Sequence, residues 1–531
     1  MRTLPDLVAL LPLLAIAAVA VALMVTIAVV RRHRTVLALT LVGLAATLAT
    51  LPVAATADQP QVTALLRVDA YALFFIGLLA LATGAVALLA YGYLHGGEAE
   101  PPEFYLLLFI ALLGAATMTA STHFASFFLG LEILSVSLYT LIAYPRVRLG
   151  CIEASVKYLI LGGVTSAFLL FGMALFYAAA GTMTVPGLTA VLNEGTVEVA
   201  GQAVTPDRLL VLTGLALILV SVGFKLALVP FHRWTPDIYQ GAPAPVTAFV
   251  ATVSKGATVA LLVRYFRGVD LGGEPALFWA FALLAGASMI AGNLLALMQT
   301  NVKRLLAYSS IAHLGYVLVA FLASGALAVT AASFYVVVYV AANLIALGIV
   351  TVLSGTERDA EEIADYRGLA VRRPWLAGGM ALALFSLAGL PLTAGFIGKF
   401  YRVRAGAGEA LWALIIILVL TSALSLYFYA RVIVAMYVQR PLAEGYAHGG
   451  AGDELPPAEV TTVGRAQAPL PSGFEGPAAT GAVAVAPVAA TRRAAWAPRV
   501  VLVLSAVLLI VLGVYPAPLV SLVERVAESL P

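Results

Sequence analysis

Five lysines, Lys157, Lys225, Lys255, Lys303 and Lys399, fall inside or at the edge of long apolar stretches, while the other 25 of the 30 basic residues are arginines. An ammonium group in hydrocarbon costs about 2.5–3.5 kcal/mol on insertion scales, so each lysine so placed is a candidate for function. Lysine gives up its proton readily when buried, whereas arginine stays charged almost anywhere. The chemistry these positions suit is reversible proton binding within a membrane.

One carboxylate and two imidazoles join them. Glu132 sits mid-span in FLGLEILSVS, with apolar neighbours on both sides. A buried carboxylate and a buried ammonium each favour a charged partner, so Glu132 and Lys225 are expected to pair, either as members of a proton path or as a static ion pair holding two helices in register. Lys255 lies roughly mid-helix in VSKGA, with no loop near enough for easy escape, where it suits either a relay role or a snorkelling structural one. His313 follows Tyr308, Ser309 and Ser310 on a polar stripe suited to hydrogen-bonded relay, and equally suited to a histidine satisfied by a neighbour. His232 stands beside Pro230, where it could feed protons or cap a helix break. Lys157 has Glu153 one turn before it, an ordinary i,i+4 helix pair by itself. Lys303 adjoins Arg304 at a helix start and reads as a topological anchor. His33, His95 and His448 read as loop residues needing no special account.

These side chains need long helices to hold them. The chain of 531 residues is 62% hydrophobic and 11% charged, with a mean hydropathy of +1.01; soluble domains run near 45–50% apolar and about 25% charged. At about 20 apolar residues per crossing, fourteen spans are expected, starting near Leu7, Val36, Ala70, Phe104, His123, Val156, Leu209, Thr247, Leu277, Leu305, Ala326, Trp375, Ala410 and Arg499. The run from Leu7 to Val30 is too long for the apolar core of a signal peptide and is read as the first span. A net charge of +3 without long basic runs carries no nucleic-acid signal.

Basic residues gather in alternate connections: Arg31/Arg32/Arg34, Arg146/Arg148, Arg233, Lys303/Arg304, Arg358/Arg367/Arg372/Arg373 and Arg440/Arg492/Arg493/Arg499. Placing these inside puts both termini on the outer side of the membrane. Arg264 and Arg267 are the exception. Two spans should be broken. Lys225 is followed by Pro230 and the polar run His232 to Asp237, and Gly389, Pro391, Gly395 and Gly398 interrupt the run before Lys399. Proline removes a backbone donor, and freed backbone at membrane depth survives only where it lines a protein-buried or watery cavity. The breaks fall in spans seven and twelve, which suits two inverted five-helix repeats, spans 4–8 and 9–13. The expected organisation is therefore an all-α polytopic protein with an N-terminal three-helix segment (1–102), two five-helix repeats (103–268 and 269–438), a Pro/Ala/Gly-rich linker (439–498) too poor in large apolar groups to pack, and a last helix (499–531).

The single cysteine, Cys151, excludes an internal disulfide and a cysteine-ligated cluster. Neither a glycine-rich phosphate loop nor metal-ligand spacing occurs, so no redox cofactor is expected on this chain.

The segment GFKLALVPFHRWTPDIYQGAP, residues 223–243, resembles the signature of the antiporter-like membrane subunits of respiratory complex I, the proton-pumping NADH:quinone oxidoreductase. The resemblance covers about Phe104 to Tyr437. It implies a proton path through the fifth-span Glu132, seventh-span Lys225, eighth-span Lys255 and twelfth-span Lys399, with Lys157 and His313 as secondary members. The lysine at the twelfth-span position sets the chain apart from subunit M, which carries glutamate there, and the short tail from subunit L, which has a long lateral helix. The resemblance further implies membrane partners such as subunits M, K and J, with NADH, FMN, iron–sulfur clusters and quinone handled in other subunits. A subunit of a multi-subunit cation/proton antiporter or of a membrane-bound hydrogenase is the alternative within transport. A non-transporting membrane scaffold is the alternative outside it.

Overall fold

A computed structural model describes residues 4–57, 61–94, 102–145, 148–199, 201–323, 325–355, 358–438 and 496–530. Among them, 13 helices are long and apolar enough to cross a membrane. They are α1 (Leu4–Val29), α2 (His33–Ala54), α3 (Ala70–Leu94), α4 (Glu103–Ala120), α5 (Phe124–Ile142), α6 (Leu149–Ala180) and α8 (Arg208–Leu226), then the continuous crossing of α10 (Ala244–Phe249), a π turn (Val250–Ser254) and α11 (Lys255–Phe266), and then α12 (Pro275–Leu297), α13 (Val302–Leu322), α14 (Ala326–Leu353), α18 (Trp412–Tyr437) and α19 (Trp496–Val514). The expected twelfth span is instead two short helices, α16 (Pro374–Ala388) and α17 (Ala394–Gly408). Helices dominate because lipid offers no partner for backbone polar groups, which must bond within their own segment. A short helix, α7 (Val185–Asn193), and a two-stranded hairpin, β1 (Val197–Val199) with β2 (Gln202–Val204), occupy the connection between α6 and α8.

Both breaks expected from proline and glycine are present. The first, after α8, ends at Ala227 in the left-handed region (φ 61°), and the chain turns through Pro230 into α9 (Trp234–Gly241). The second, after α16, ends at Gly389 (φ 79°), where a side chain would both be strained and lie 2.6 Å from Cδ of Lys399. Lys225 occupies the last turn before its break, whereas Lys399 lies in the second turn after its own, so Lys399 does not end the broken segment as expected but sits inside α17.

Hydrogen bonds sort the connections to two ends. Arg31 bonds Glu103, Arg148 bonds Tyr93, and Lys303 bonds Asp359, which gathers connections 1–2, 3–4, 5–6, 9–10 and 11–12 at one end. Gln61 bonds Thr122, His123 pairs with Thr184, and Asn193 bonds Gly268 at the other. The basic connections joined by these bonds thus share an end, as their alternation requires. Arg146, Arg440, Arg492, Arg493, His95 and His448 lie outside the described residues. So does the linker expected over 439–498, except Trp496 to Pro498, which already form the first turn of α19; the last span begins there and not at Arg499. A second C-terminal helix, α20 (Ala517–Glu528), packs on α3 and α14. His33 is not in a loop: it opens α2, buried, with Nε2 2.6 Å from the Tyr105 hydroxyl.

Helices α10–α11, α13 and α14 form the enclosed centre, and the rest pack round them. Close approach rests on small residues: a Cβ on Gly114 would stand 2.6 Å from the Gly130 carbonyl oxygen. Arg264, the exception to the charge alternation, is explained by burial. Its guanidinium meets Asp69 through both carboxylate oxygens at 2.8 and 2.6 Å, donates to the Thr119 carbonyl at 2.8 Å and lies over Tyr71. A charge neutralised this way inside the protein casts no vote on topology. Removing one member of a buried pair typically costs 3–5 kcal/mol, so Asp69→Ala is expected to lower the thermal stability of the solubilised protein by roughly that amount; an unchanged melting temperature would show the pair to be dispensable.

Candidate functional site

The lysines outline a buried polar seam from α5 to α17. At its first station Lys225, 2% exposed, donates to Ser135 Oγ at 2.8 Å and Tyr158 Oη at 3.1 Å, with its ammonium 5.0 Å from the Tyr158 ring centre. Tyr158 is wedged against Trp234 and Phe224, so the broken segment itself builds the wall of this pocket. The expected Glu132–Lys225 ion pair is absent. Glu132, half-buried on α5, accepts instead from Ser166 of α6, and Ser135, one turn further along α5, takes its place beside the ammonium. Helical geometry explains the substitution: residues three apart share a face, so one turn of α5 presents either group to the same neighbourhood.

The second station is Lys255, 1% exposed, immediately after the π turn in the most enclosed crossing. Such turns widen a helix locally and gather at functional positions. Its ammonium donates to Ser310 and lies 5.3 Å from the centre of the Tyr239 ring. Ser310 also receives the Tyr339 hydroxyl at 2.6 Å and the Tyr239 hydroxyl at 3.4 Å.

One turn on, His313 bonds Tyr335 through Nδ1 and lies 3.2 Å from the Tyr429 hydroxyl through Nε2; Tyr429 in turn meets Ser309. The polar stripe expected on α13 is therefore real, and its partners are tyrosines of α14 and α18. At the last station Lys399, 8% exposed, donates to the Ala388 carbonyl at 2.6 Å, the freed C-terminal end of α16, and lies over Tyr316. A half-helix C-terminus carries partial negative charge, which favours a cation there.

Two expected members stand apart. Lys157 is 45% exposed, 2.7 Å from Glu153 and 3.5 Å from Asp237. It borders a cavity of about 550 Å³ at the basic end, together with Arg148, Glu153, Asp237, Arg358 and Asp359. His232 is half-buried in the first break, with Nδ1 unpartnered.

The structure also corrects one expectation and adds two buried charges, Asp359 and Arg402, that the chain order gave little reason to single out. Lys303 is no surface anchor: it is buried, donating to Asp359 at 2.7 Å and to the carbonyls of Gln240 and Ala242 at 2.8 and 2.7 Å, which pins the end of α9. Asp359 also accepts from Arg148 at 3.1 Å and Tyr93 at 2.8 Å. Burial alone would push the Asp359 carboxyl up, but the Lys303 and Arg148 charges and the hydrogen bonds outweigh it and hold it below the usual range. Arg402, fully buried, lies one turn beyond Lys399 on α17. Arg402 and Asp359 stand in the sequence among other charges, Arg404 and Glu409 for one, Arg358, Glu361 and Glu362 for the other, and so looked like solvated helix ends and loops. The signal available was an arginine three residues from an intramembrane lysine.

A profile of the family described as NADH:quinone oxidoreductase/Mrp antiporter, TM, matches residues 121–425, the stretch that carries every station above. The chain is 44% identical over 470 residues to the protein named NADH-quinone oxidoreductase subunit N of Methylococcus capsulatus, covering 88% of this chain and 93% of that one. It is 46% identical over 455 residues to the protein of the same name from Nitrosospira multiformis, covering 83% and 88%. Among solved structures, a chain of respiratory complex I from Thermus thermophilus with bound aureothin superposes with a TM-score of 0.73 at 30% identity, covering 96% of this chain and 98% of that one. With the broken helices, the buried lysines and these likenesses together, the chain belongs to the NADH:quinone oxidoreductase/Mrp antiporter transmembrane family.

Proposed function

We propose that this chain is the N-type membrane subunit of an NADH:quinone oxidoreductase and carries protons across the membrane. The observation that carries the reading is the sequence of buried ammonium groups, Lys225, Lys255 and Lys399, each held by hydroxyls or a carbonyl and none by a carboxylate. A lysine with a tight carboxylate partner is locked in its charged form; one facing neutral groups can lose and regain a proton. Protons enter from the basic, cytoplasmic end towards Lys225, cross by Lys255, Ser310 and His313 near the middle of the bundle, and leave outward from Lys399. Glu132 sets the charge around Lys225 from the surface of α5 as neighbouring subunits shift, and its field reaches the ammonium. Lys157 with Asp237 lines the mouth on the entry side, and His232 stands at the break beside it. The paired breaks, five spans apart, support two inverted repeats as the frame of two half-channels.

The driving energy comes from quinone reduction elsewhere in the complex, where NADH, FMN and iron–sulfur clusters are bound. This chain contributes translocation, with subunits M, K and J as membrane neighbours in a bacterial inner membrane and both termini outside.

The test is proton uptake into vesicles by the reconstituted complex. Lys255→Met, which fills the site without a titratable group, is expected to reduce protons moved per NADH oxidised by roughly tenfold or more, since a positioned proton-transfer group typically contributes about 10²–10⁴-fold. Unchanged stoichiometry in assembled Lys255→Met complex, together with unchanged flux on neutralising Glu132 or Lys399, would leave the scaffold reading standing.

A further inference from the structure

Arg402 is an oddity that the proton path as described leaves unused. It is 0% exposed, midway along α17, and makes no ion pair among the described residues. Its Nε donates to the Gly398 carbonyl at 3.1 Å, while both terminal nitrogens lack a hydrogen-bond partner. The guanidinium packs against aromatic rings: its Cζ is 3.5 Å from the centre of Tyr335 and 5.5 Å from that of Tyr316. The contact with Tyr335 is therefore with the ring face; the Tyr335 hydroxyl is engaged with His313. Lys399 shares the Tyr316 ring from one turn away. Cation–π contact holds a guanidinium in place without cancelling its charge.

An arginine keeps its proton at any working pH, so this group cannot be a station for moving protons. It is a fixed positive charge beside two groups that can bind them. The charges of Lys399, Arg402 and Lys255 all reach the His313 imidazole. The helices packed on α17 offer nothing to neutralise it. From α13 come His313 and Tyr316, from α14 Tyr335 and Tyr339, and from α18 Tyr429. From α16 comes only backbone carbonyl and Ser386, and the one charged side chain of α19 is the exposed Arg499 at its start. Among the described residues no carboxylate pairs with it.

We propose that Arg402 is a positioning residue of the exit half of the path, an uncancelled guanidinium that makes simultaneous protonation of Lys399 and His313 costly and so expels the proton from Lys399 outward. The inference rests on the proton-translocating reading above. Two unit charges one helical turn apart, at an effective dielectric of about 20, shift a proton equilibrium by roughly one to two pH units. Removing the guanidinium lets Lys399 hold its proton to higher pH, so exit slows at neutral pH and recovers in alkali.

The experiment compares wild-type, Arg402→Gln, Arg402→Met and Arg402→Lys complexes in vesicles, recording protons moved per NADH oxidised from about pH 6 to pH 9. Arg402→Gln and Arg402→Met should move the half-maximal point of pumping up by one to two units, and Arg402→Lys by less. Assembled variants that pump with the wild-type pH profile would overturn the inference while leaving the lysine path intact. Failure of all three to assemble would overturn it too, by assigning the residue to packing. If Lys255→Met leaves pumping unchanged, the translocation reading itself falls, which a flat Arg402 series alone does not show.

Discussion

Alanine in place of Lys225 is expected to cut proton pumping by a factor on the order of 10² or more while the complex still assembles. The separation of the two effects follows from the neighbours. The ammonium contacts Ser135 and Tyr158, both neutral hydroxyls, so its removal strands no buried charge. The hydroxyls can turn to other acceptors, and Ser135 already donates to the Leu131 carbonyl at 2.5 Å. What is lost is the ammonium that faces both the broken segment and the field of Glu132. The measurement is acidification per NADH oxidised in reconstituted vesicles, with the amount of assembled complex checked by native electrophoresis. Full pumping by assembled Lys225→Ala complex would refute the assignment of this residue to the path, and loss of assembly would show a structural role that its neighbours do not suggest.

The second large effect is expected at Asp359, where the consequence is stability first. Its carboxylate faces Lys303, which is 1% exposed at the side chain, and also Arg148, so Asp359→Asn leaves a buried ammonium without its counter-charge. The cost is about 3–5 kcal/mol. Because Lys303 also holds the carbonyls of Gln240 and Ala242, the damage should spread to the junction between α9 and α10 and so to the Lys225 pocket that the broken segment walls. A lower melting temperature at pH 7 is the readout, and a double variant Asp359→Asn/Lys303→Met should recover much of the loss, since no buried charge then remains unpaired. An unchanged melting temperature in the single variant would show that the carbonyls alone satisfy Lys303. The pH dependence has a definite sign. The Asp359 carboxyl is held below its ordinary range in the folded protein, so its contribution is fully present above the ordinary carboxylate pKa of about 4 and is lost as pH falls through the lower folded value. The wild type should keep this clamp from neutral pH down to about pH 4, and the variant should lack it throughout.

Much of this molecule was legible along the chain. Helix length, composition and the proline and glycine interruptions are properties of one segment at a time, and the lipid setting leaves little choice between conformations. The fourteen-span expectation, the two breaks and the burial of Lys225, Lys255 and Lys399 followed from runs of about twenty apolar residues with a lysine inside them. The polar stripe before His313 was visible as helical spacing, although not the tyrosines that complete it. Partner identity was a different matter. Glu132 and Lys225 looked matched because they were opposite charges in oil, yet the register of α5 against α8 set Ser135 beside the ammonium instead. Lys303 looked like an anchor because Arg304 followed it, and its true partner lies 56 residues away on a loop whose other described charges are exposed or only partly buried.

By itself, then, the sequence determined that this is a polytopic membrane protein with intramembrane lysines at helix interruptions and a signature of the antiporter-like family, because those are statements about local composition and spacing. Only the tertiary structure decided which charges are cancelled and which are not. Arg264 finds Asp69 across 195 residues, Lys303 finds Asp359, and Arg402 finds a backbone carbonyl and aromatic faces but no counter-charge among the described residues. The physical reason is that the cost of a buried charge depends on what lies within a few ångströms of it in space, and helix packing, not chain order, brings those neighbours together.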